Sequence, residues 1–282
     1  MFSRKQIAVL GAEFLGTFVL ALVTLSVQHS TIGLPYFVAA AAGLTLAALT
    51  VVLAGNGGGH FNPAVTIGLW TVRQIRTLRA LSYVAAQLVG ALAAYWLYVY
   101  FIKTDLQPLV GPAYDPRIMV AEATGAFLLS MAYAAAVFNG YLSAKRGAVV
   151  GAAYALAIIL AASATIGIIN PAVALSMRAV ALTSWTGWGT YVLGPVLGAV
   201  IGFNLYALVF AEENALLRVR AAVSQRLGRP SAVPAKAVAA TEEPATPTRR
   251  RGRPAAKRSS TTTRRSSGAR RTSRSSTSRS RR

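Results

Sequence analysis

The sequence contains no cysteine and only two histidines, His29 and His60. Disulfides, thiolate metal sites and cysteine nucleophiles are thereby excluded, and a histidine-rich metal site cannot be assembled. Acidic residues are scarce as well, eight against 29 Lys and Arg. No nucleophile, base and orienting group cluster along the chain, so neither an enzyme nor a bound cofactor is expected. The first apolar run is about as long as a membrane span and lacks a clear cleavage site, so no cleavable signal peptide is expected. Beyond residue 212 there is no apolar run long enough to cross a bilayer.

Apolar residues fill the space these absences leave. They make up 54% of the chain, mean hydropathy is +0.49, and burial in lipid accounts for that better than a soluble core. Six apolar stretches are long enough to cross: 7–27, 36–54, 80–102, 118–138, 147–165 and 187–210. All six read as helices, because a spanning segment must satisfy its own backbone polar groups. Arg4/Lys5, Arg73/Arg76/Arg79, Lys145/Arg146 and the C-terminal tail fall on one side of this arrangement. The other side has Lys103 balanced by Asp105 and Asp115, plus Arg117 and Arg178. An excess of basic residues marks the cytoplasmic side, which puts both termini in the cytoplasm.

Between the second and third spans the composition turns polar and glycine-rich, from Gly57 through His60 to Asn62-Pro63-Ala64-Val65-Thr66. The core of this stretch returns as Asn170-Pro171-Ala172-Val173. Asparagine is a preferred helix N-cap and proline a preferred first helical residue, so each box starts a helix. From Asn62 to the cluster at Arg73 there are about ten residues, which at roughly 1.5 Å each cover about half of a hydrocarbon core of roughly 30 Å. Neither helix can span alone. A capping asparagine turns its carbonyl to its own helix and leaves its NH2, a pure donor, facing outward. Each helix N-terminus carries about +0.5 elementary charge. Two such ends meeting at the membrane centre would hydrogen-bond the oxygen of a passing neutral molecule and disfavour cations.

The chain also repeats itself. Ala12-Glu13-Phe14-Leu15-Gly16-Thr17-Phe18 is echoed by Ala121-Glu122-Ala123-Thr124-Gly125-Ala126-Phe127, an offset of 109, and Asn62 and Asn170 differ by 108. Val89-Gly90-Ala91 becomes Leu197-Gly198-Ala199, again 108 apart. Each repeat holds three spans, an odd number, so the second must insert upside down relative to the first. Inverted repeats with broken helices near the midplane are a transport architecture.

Glu13 and Glu122 are ionisable groups inside spans, where charge is costly and usually faces a polar interior. Either could carry a proton. The favoured reading is structural: at equivalent repeat positions, each can accept hydrogen bonds from N–H groups of a re-entrant loop. His60, two residues before Asn62, reads as a loop-fixing hydrogen-bonding group, since no partner set for a metal or a catalytic role surrounds it. Gly147/Gly151 and Gly194/Gly198/Gly202 read as close helix packing.

Residues 212–282 are of another kind. Glu212 and Glu213 close the last helix, a short amphipathic piece through Arg226 follows, and an Ala/Pro/Thr linker leads into an Arg/Ser/Thr run, all expected to be disordered. This tail holds nineteen of the 29 basic residues. Arg251-Gly252-Arg253-Pro254 resembles the core of an AT-hook, which lies in the minor groove of A·T-rich DNA. Adhesion to anionic lipid, at roughly 1 kcal/mol per basic residue near the surface, is the alternative to nucleic-acid binding.

The paired Asn-Pro-Ala boxes, the Gly-x-His-x-Asn-Pro-Ala-Val-Thr context at 58–66, the Ala-Glu-Phe-Leu-Gly-Thr opening and the duplication together resemble the aquaporin and glycerol-facilitator (major intrinsic protein) family, over residues 7–211. The resemblance implies an all-α membrane protein with six transmembrane helices plus two re-entrant half-helices, in repeats of about 7–105 and 115–211. It also implies a pore in every subunit, a homotetramer in the plasma membrane, and passive flow of water or small uncharged solutes. Asn62, Pro63, Ala64, Asn170, Pro171 and Ala172 then match the family's pore motifs. The family's outer constriction falls on Ala42, Ile158, Gly167 and Val173. An arginine normally follows the second box, and Val173 stands in its place. Water-selective relatives carry an aromatic and a histidine where this chain has Ala42 and Ile158. The ring so formed is apolar and uncharged.

Two functions follow. One is a channel of relaxed selectivity for glycerol, urea, ammonia or water, with residues 1–211 as the channel domain and 212–282 as a cytoplasmic tail. The other is a membrane-anchored interaction protein whose tail binds nucleic acid or anionic lipid.

Overall fold

Capping residues and prolines set where the helices begin. In the computed structural model, which describes residues 3–30, 34–56, 58–109, 114–164, 166–180 and 185–211, Ser3 accepts from the Gln6 N–H and Gln6 returns a bond to the Ser3 N–H. This reciprocal cap starts α1, Arg4–Gln28. Proline at the first helical position, where a missing N–H costs nothing, opens α2 (Pro35–Leu53), α3 (Pro63–Thr71), α5 (Pro116–Phe138) and α7 (Pro171–Ser176). The remaining helices are α4 (Thr77–Ile102), α6 (Ser143–Ala161) and α8 (Trp185–Phe210). No strand occurs among the described residues.

Six of these helices, α1, α2, α4, α5, α6 and α8, are long and apolar enough to cross a membrane, while α3 and α7 have nine and six residues. The chain is a multi-pass membrane protein. Many large side chains on its outer faces, such as Leu44, Val52, Leu78 and Leu208, are exposed where lipid would cover them. Trp96, Tyr100 and Trp185 are exposed near one end of the bundle, as suits an aromatic belt.

The spans differ from the sequence expectation chiefly in the fifth. The apolar run predicts 147–165, but α6 runs from Ser143 to Ala161. Short-range bonds from Ala162, Ser163 and Ala164 to the Ile158, Leu160 and Ala161 carbonyls turn the chain there, leaving the last apolar residues to lead back toward the second box. Within α8, residues Gly189–Leu193 form a wide π turn just before Gly194-Pro195. Pro195 has no N–H to give the Tyr191 carbonyl, which loosens the ladder at that point.

Small residues bring the helices together, and the same contacts recur in both repeats. A Cβ on Gly90 would lie 2.4 Å from the Phe14 carbonyl oxygen, and one on Gly198 would lie 1.9 Å from that of Ala123. These contacts lock α4 on α1 and α8 on α5, each pair parallel. At the junction between repeats α2 and α6 run antiparallel, with Gly43 against the Gly151 carbonyl and Gly147 against that of Ala47. The half-helix α3 crosses to the other repeat, where Gly68 packs on Phe203 and Ala199 of α8. Asn204 of α8 donates to the Thr71 hydroxyl at 2.8 Å. The tail features expected from the sequence, including Glu212, Glu213 and Arg251-Gly252-Arg253-Pro254, lie outside the described residues.

Candidate functional site

Each box is built by the same three steps. A glycine two residues before the asparagine's predecessor turns the backbone into the left-handed region, Gly59 at φ 90° and Gly167 at φ 68°. The residue just before each asparagine then also takes a left-handed conformation, Phe61 at φ 49° and Ile169 at φ 48°. For a β-branched isoleucine this is an outlier, held only because the surroundings over-determine it. Finally the asparagine caps its half-helix. Asn62 accepts from the Ala64 N–H at 2.8 Å, and Asn170 from the Ala172 N–H at 3.0 Å.

The two ends meet. Asn62 Nδ2 donates to the Ile169 carbonyl at 3.1 Å, and Asn170 Nδ2 donates to the Phe61 carbonyl at 2.9 Å. The strained residue of each loop therefore supplies the acceptor for the asparagine of the other. One hydrogen of each amide is committed to the opposite loop, so the outward-facing donor inferred from capping alone is half of what the side chain carries. Both asparagines are buried.

Behind the first loop Glu13 accepts from Gly59 N–H at 2.6 Å, His60 N–H at 3.0 Å, Phe61 N–H at 2.9 Å and Gln87 Nε2 at 2.7 Å. Gln87 also donates to Thr66 Oγ1 at 3.0 Å, and His60 Nδ1 lies 3.1 Å from the same hydroxyl. Behind the second loop, among the described residues, Glu122 accepts from Ile168 and Ile169 N–H, at 2.8 and 2.5 Å. There the positions matching His60, Thr66 and Gln87 are Ile168, Ala174 and Pro195, so the second support is largely apolar. Tyr133 donates to the Gly59 carbonyl at 3.0 Å and Tyr154 to that of Ile168 at 3.4 Å. The sequence alone does not mark Gln87, Thr66, Tyr133 and Tyr154 as loop supports, although a lone amide in the apolar run 80–102 is a visible signal.

The four residues of the expected outer ring are all buried. Gly167 packs directly on the Ile158 carbonyl, where a Cβ would lie 2.4 Å from the oxygen. Val173 sits in the first turn of α7, its N–H 3.5 Å from Asn170 Oδ1. Ala42 lies on the inward face of α2. Among the described residues no cluster of His, Asp and Glu could hold a metal.

A family model described as Major intrinsic protein matches residues 2–206. The chain belongs to the major intrinsic protein family. Aquaporin NIP3-1 of Oryza sativa subsp. japonica is 31% identical over 220 residues, 73% of this chain and 69% of the relative. Glycerol uptake facilitator protein-like 6 of Lactiplantibacillus plantarum is 31% identical over 212 residues, 72% of this chain and 98% of the relative. Aquaporin Z of Photorhabdus laumondii is 29% identical over 231 residues, 73% of this chain and 98% of the relative. The aquaglyceroporin from Plasmodium falciparum shares the fold, with a TM-score of 0.59 at 23% identity, over 72% of this chain and 96% of that one. Members of the major intrinsic protein family are passive membrane channels for water or small solutes.

Proposed function

We propose that this major intrinsic protein is a passive channel for small uncharged solutes, with glycerol, urea, ammonia and water as candidates. Asn62 and Asn170 act as the central donors in this reading. The observation that carries it is the meeting of the two capped helix ends, each asparagine bonded to the carbonyl before the other. That arrangement leaves an amide hydrogen on each side to face a solute oxygen, beside two helix termini whose partial positive charge disfavours cations.

Ala42, Ile158, Gly167 and Val173 form an apolar, uncharged outer constriction in this proposal, wider than one that carries an arginine after the second box. The close seat of Gly167 on the Ile158 carbonyl, which brings two of the four together, supports it. Glu13, Glu122 and His60 serve as loop supports rather than proton carriers, because the hydrogen bonds just described occupy them. Residues 1–211 are the channel domain. It forms a homotetramer in the plasma membrane with both termini cytoplasmic, and the tail of 212–282 binds anionic lipid or nucleic acid through its basic residues.

Light scattering on proteoliposomes under glycerol, urea and sucrose gradients tests the proposal. Flux of glycerol and urea above that of empty vesicles, lost in Asn62→Ala and Asn170→Ala, is the expected result. Permeability equal to empty vesicles would favour the anchor reading.

A further inference from the structure

Neither helix stability nor an ion pair among the described residues explains the position of Arg146. Arg146 lies in the first turns of α6, at the end of a helix dipole where a cation is disfavoured. It takes no part in the ion pairs among the described residues, which join Arg117 to Asp115 and Arg178 to Asp105. Its Nε is buried and has no hydrogen-bond partner among the described residues, although an uncompensated buried donor costs free energy. Its neighbour Lys145, by contrast, is exposed and rests 3.8 Å above the Tyr141 ring.

The surroundings of Arg146 lead to the first box. Its guanidinium stands 5.9 Å over the ring of Tyr133, and the Tyr133 hydroxyl holds the Gly59 carbonyl. The Thr50 hydroxyl at the end of α2 sits beside Tyr133 as well. Arg146 and Arg79 both lie within electrostatic range of His60. A cationic fork is thus fixed by an aromatic face at the basic end of the bundle, next to the loop that leads to Asn62.

Resting on the channel reading, we infer that Arg146 is a specificity-determining residue of the basic-end mouth. It is a fixed positive charge that repels cations and protons, but not neutral solutes, on the side opposite the uncharged ring at Val173. A unit charge held within about 10 Å of the path, at an effective dielectric of about 20, slows a crossing cation by a factor on the order of ten. The barrier that an outer-ring arginine would supply is in this way shifted to the other end of the conduit.

The test is the ratio of proton leak to glycerol flux in proteoliposomes of the full chain, with leak read by an internal pH dye under an imposed potential. Arg146→Gln should raise that ratio by a factor on the order of ten. Arg146→Lys, which keeps the charge, and Lys145→Gln, which removes a charge from the same turn but on the solvent side, should both stay near the unaltered protein. Should the glutamine variant not fold, Arg146→Met, which keeps the apolar stem, is measured in its place. A folded, glycerol-conducting variant without the charge whose ratio is unchanged would overturn the inference. An equal rise in Lys145→Gln would also overturn it, by showing a diffuse surface effect. Absence of glycerol and water flux from the unaltered protein would instead sink the channel reading, and the inference with it.

Discussion

Asn170 donates through Nδ2 to the carbonyl of Phe61, a residue in the other repeat and in a left-handed conformation. Its replacement by alanine therefore removes a helix cap and strands a buried acceptor on the opposite loop. The cap is worth about 1 kcal/mol, and the orphaned carbonyl adds roughly 1–3 kcal/mol. Asn62→Ala strands the Ile169 carbonyl in the same way. Thermal unfolding in detergent should show both variants destabilised by comparable amounts. A loss confined to one of them would mean the two loops do not lean on each other.

The loop supports are unequal, and the equivalent substitutions should be unequal too. A neutral amide offers one acceptor oxygen where a carboxylate offers two. Among the described residues Glu13→Gln disturbs four hydrogen bonds including that of Gln87, whereas Glu122→Gln disturbs two. With bonds to a charged group worth roughly 1.5–3 kcal/mol each, Glu13→Gln should cost more in unfolding midpoint. If proton flux rather than stability changed in these variants, the carboxylates would be carriers and not struts.

Two glycines in different helices, Gly198 of α8 and Gly11 of α1, make a paired test of packing. Gly198→Ala drives a methyl into the Ala123 backbone, with the carbonyl oxygen 1.9 Å from the new carbon. A backbone cannot step aside as a side chain can, so α8 must move off α5, at a cost at or above the roughly 1–3 kcal/mol of ordinary overpacking. Gly11→Ala meets nothing within 4 Å, and better helix propensity should make it neutral or stabilising by up to about 1 kcal/mol. Midpoints of detergent unfolding for the two variants check this, and equal losses would contradict the packing described.

At the end opposite Arg146, Asp105 accepts from the Tyr95 hydroxyl and pairs with Arg178 at 2.8 Å. The tyrosine bond first, and then the arginine, hold its carboxyl below the usual value of 3.8. A lowered folded-state value means the tie is fully present above 3.8 and is lost as pH falls through the lower, folded value. Hydrogen exchange at the Leu106 and Leu109 amides, which bond to Asp105 and to the Arg178 carbonyl, should accelerate in that acid window. In Tyr95→Phe the onset should move to higher pH. An onset that ignores Tyr95 would assign the tie to Arg178 alone.

Val173→Arg tests the outer ring. An arginine brings a fixed charge and a fork of donors into the first turn of α7, so flux of glycerol should fall more than flux of water, and any proton leak should fall as well. An unchanged glycerol-to-water ratio would remove Val173 from the constriction. A changed ratio with an unchanged leak would put the whole proton barrier elsewhere.

What the sequence made legible was whatever obeys a local rule. Span lengths, the two Asn-Pro starts and the register of Glu13 with Glu122 all follow from runs, caps and repeats. Gln87 escaped because its partners, Glu13 and Thr66, are 74 and 21 residues away, and nothing local distinguishes a buried amide from a tolerated one. The early end of α6 escaped because apolar residues lead into the second re-entrant loop as smoothly as they continue a helix. The exchange of Asn62 and Asn170 between loops needs both repeats folded against each other, and periodicity carries no information on that.

The exchange also has a consequence for biogenesis. Phe61 and the Asn170 amide that satisfies it are 109 residues apart. At roughly 5–20 residues per second of synthesis, the first loop waits on the order of 5–20 s before its partner exists. During that interval its carbonyl has to be satisfied by water or by the insertion machinery. The first repeat is thus synthesised with this acceptor still lacking its partner, which arrives only with the second repeat.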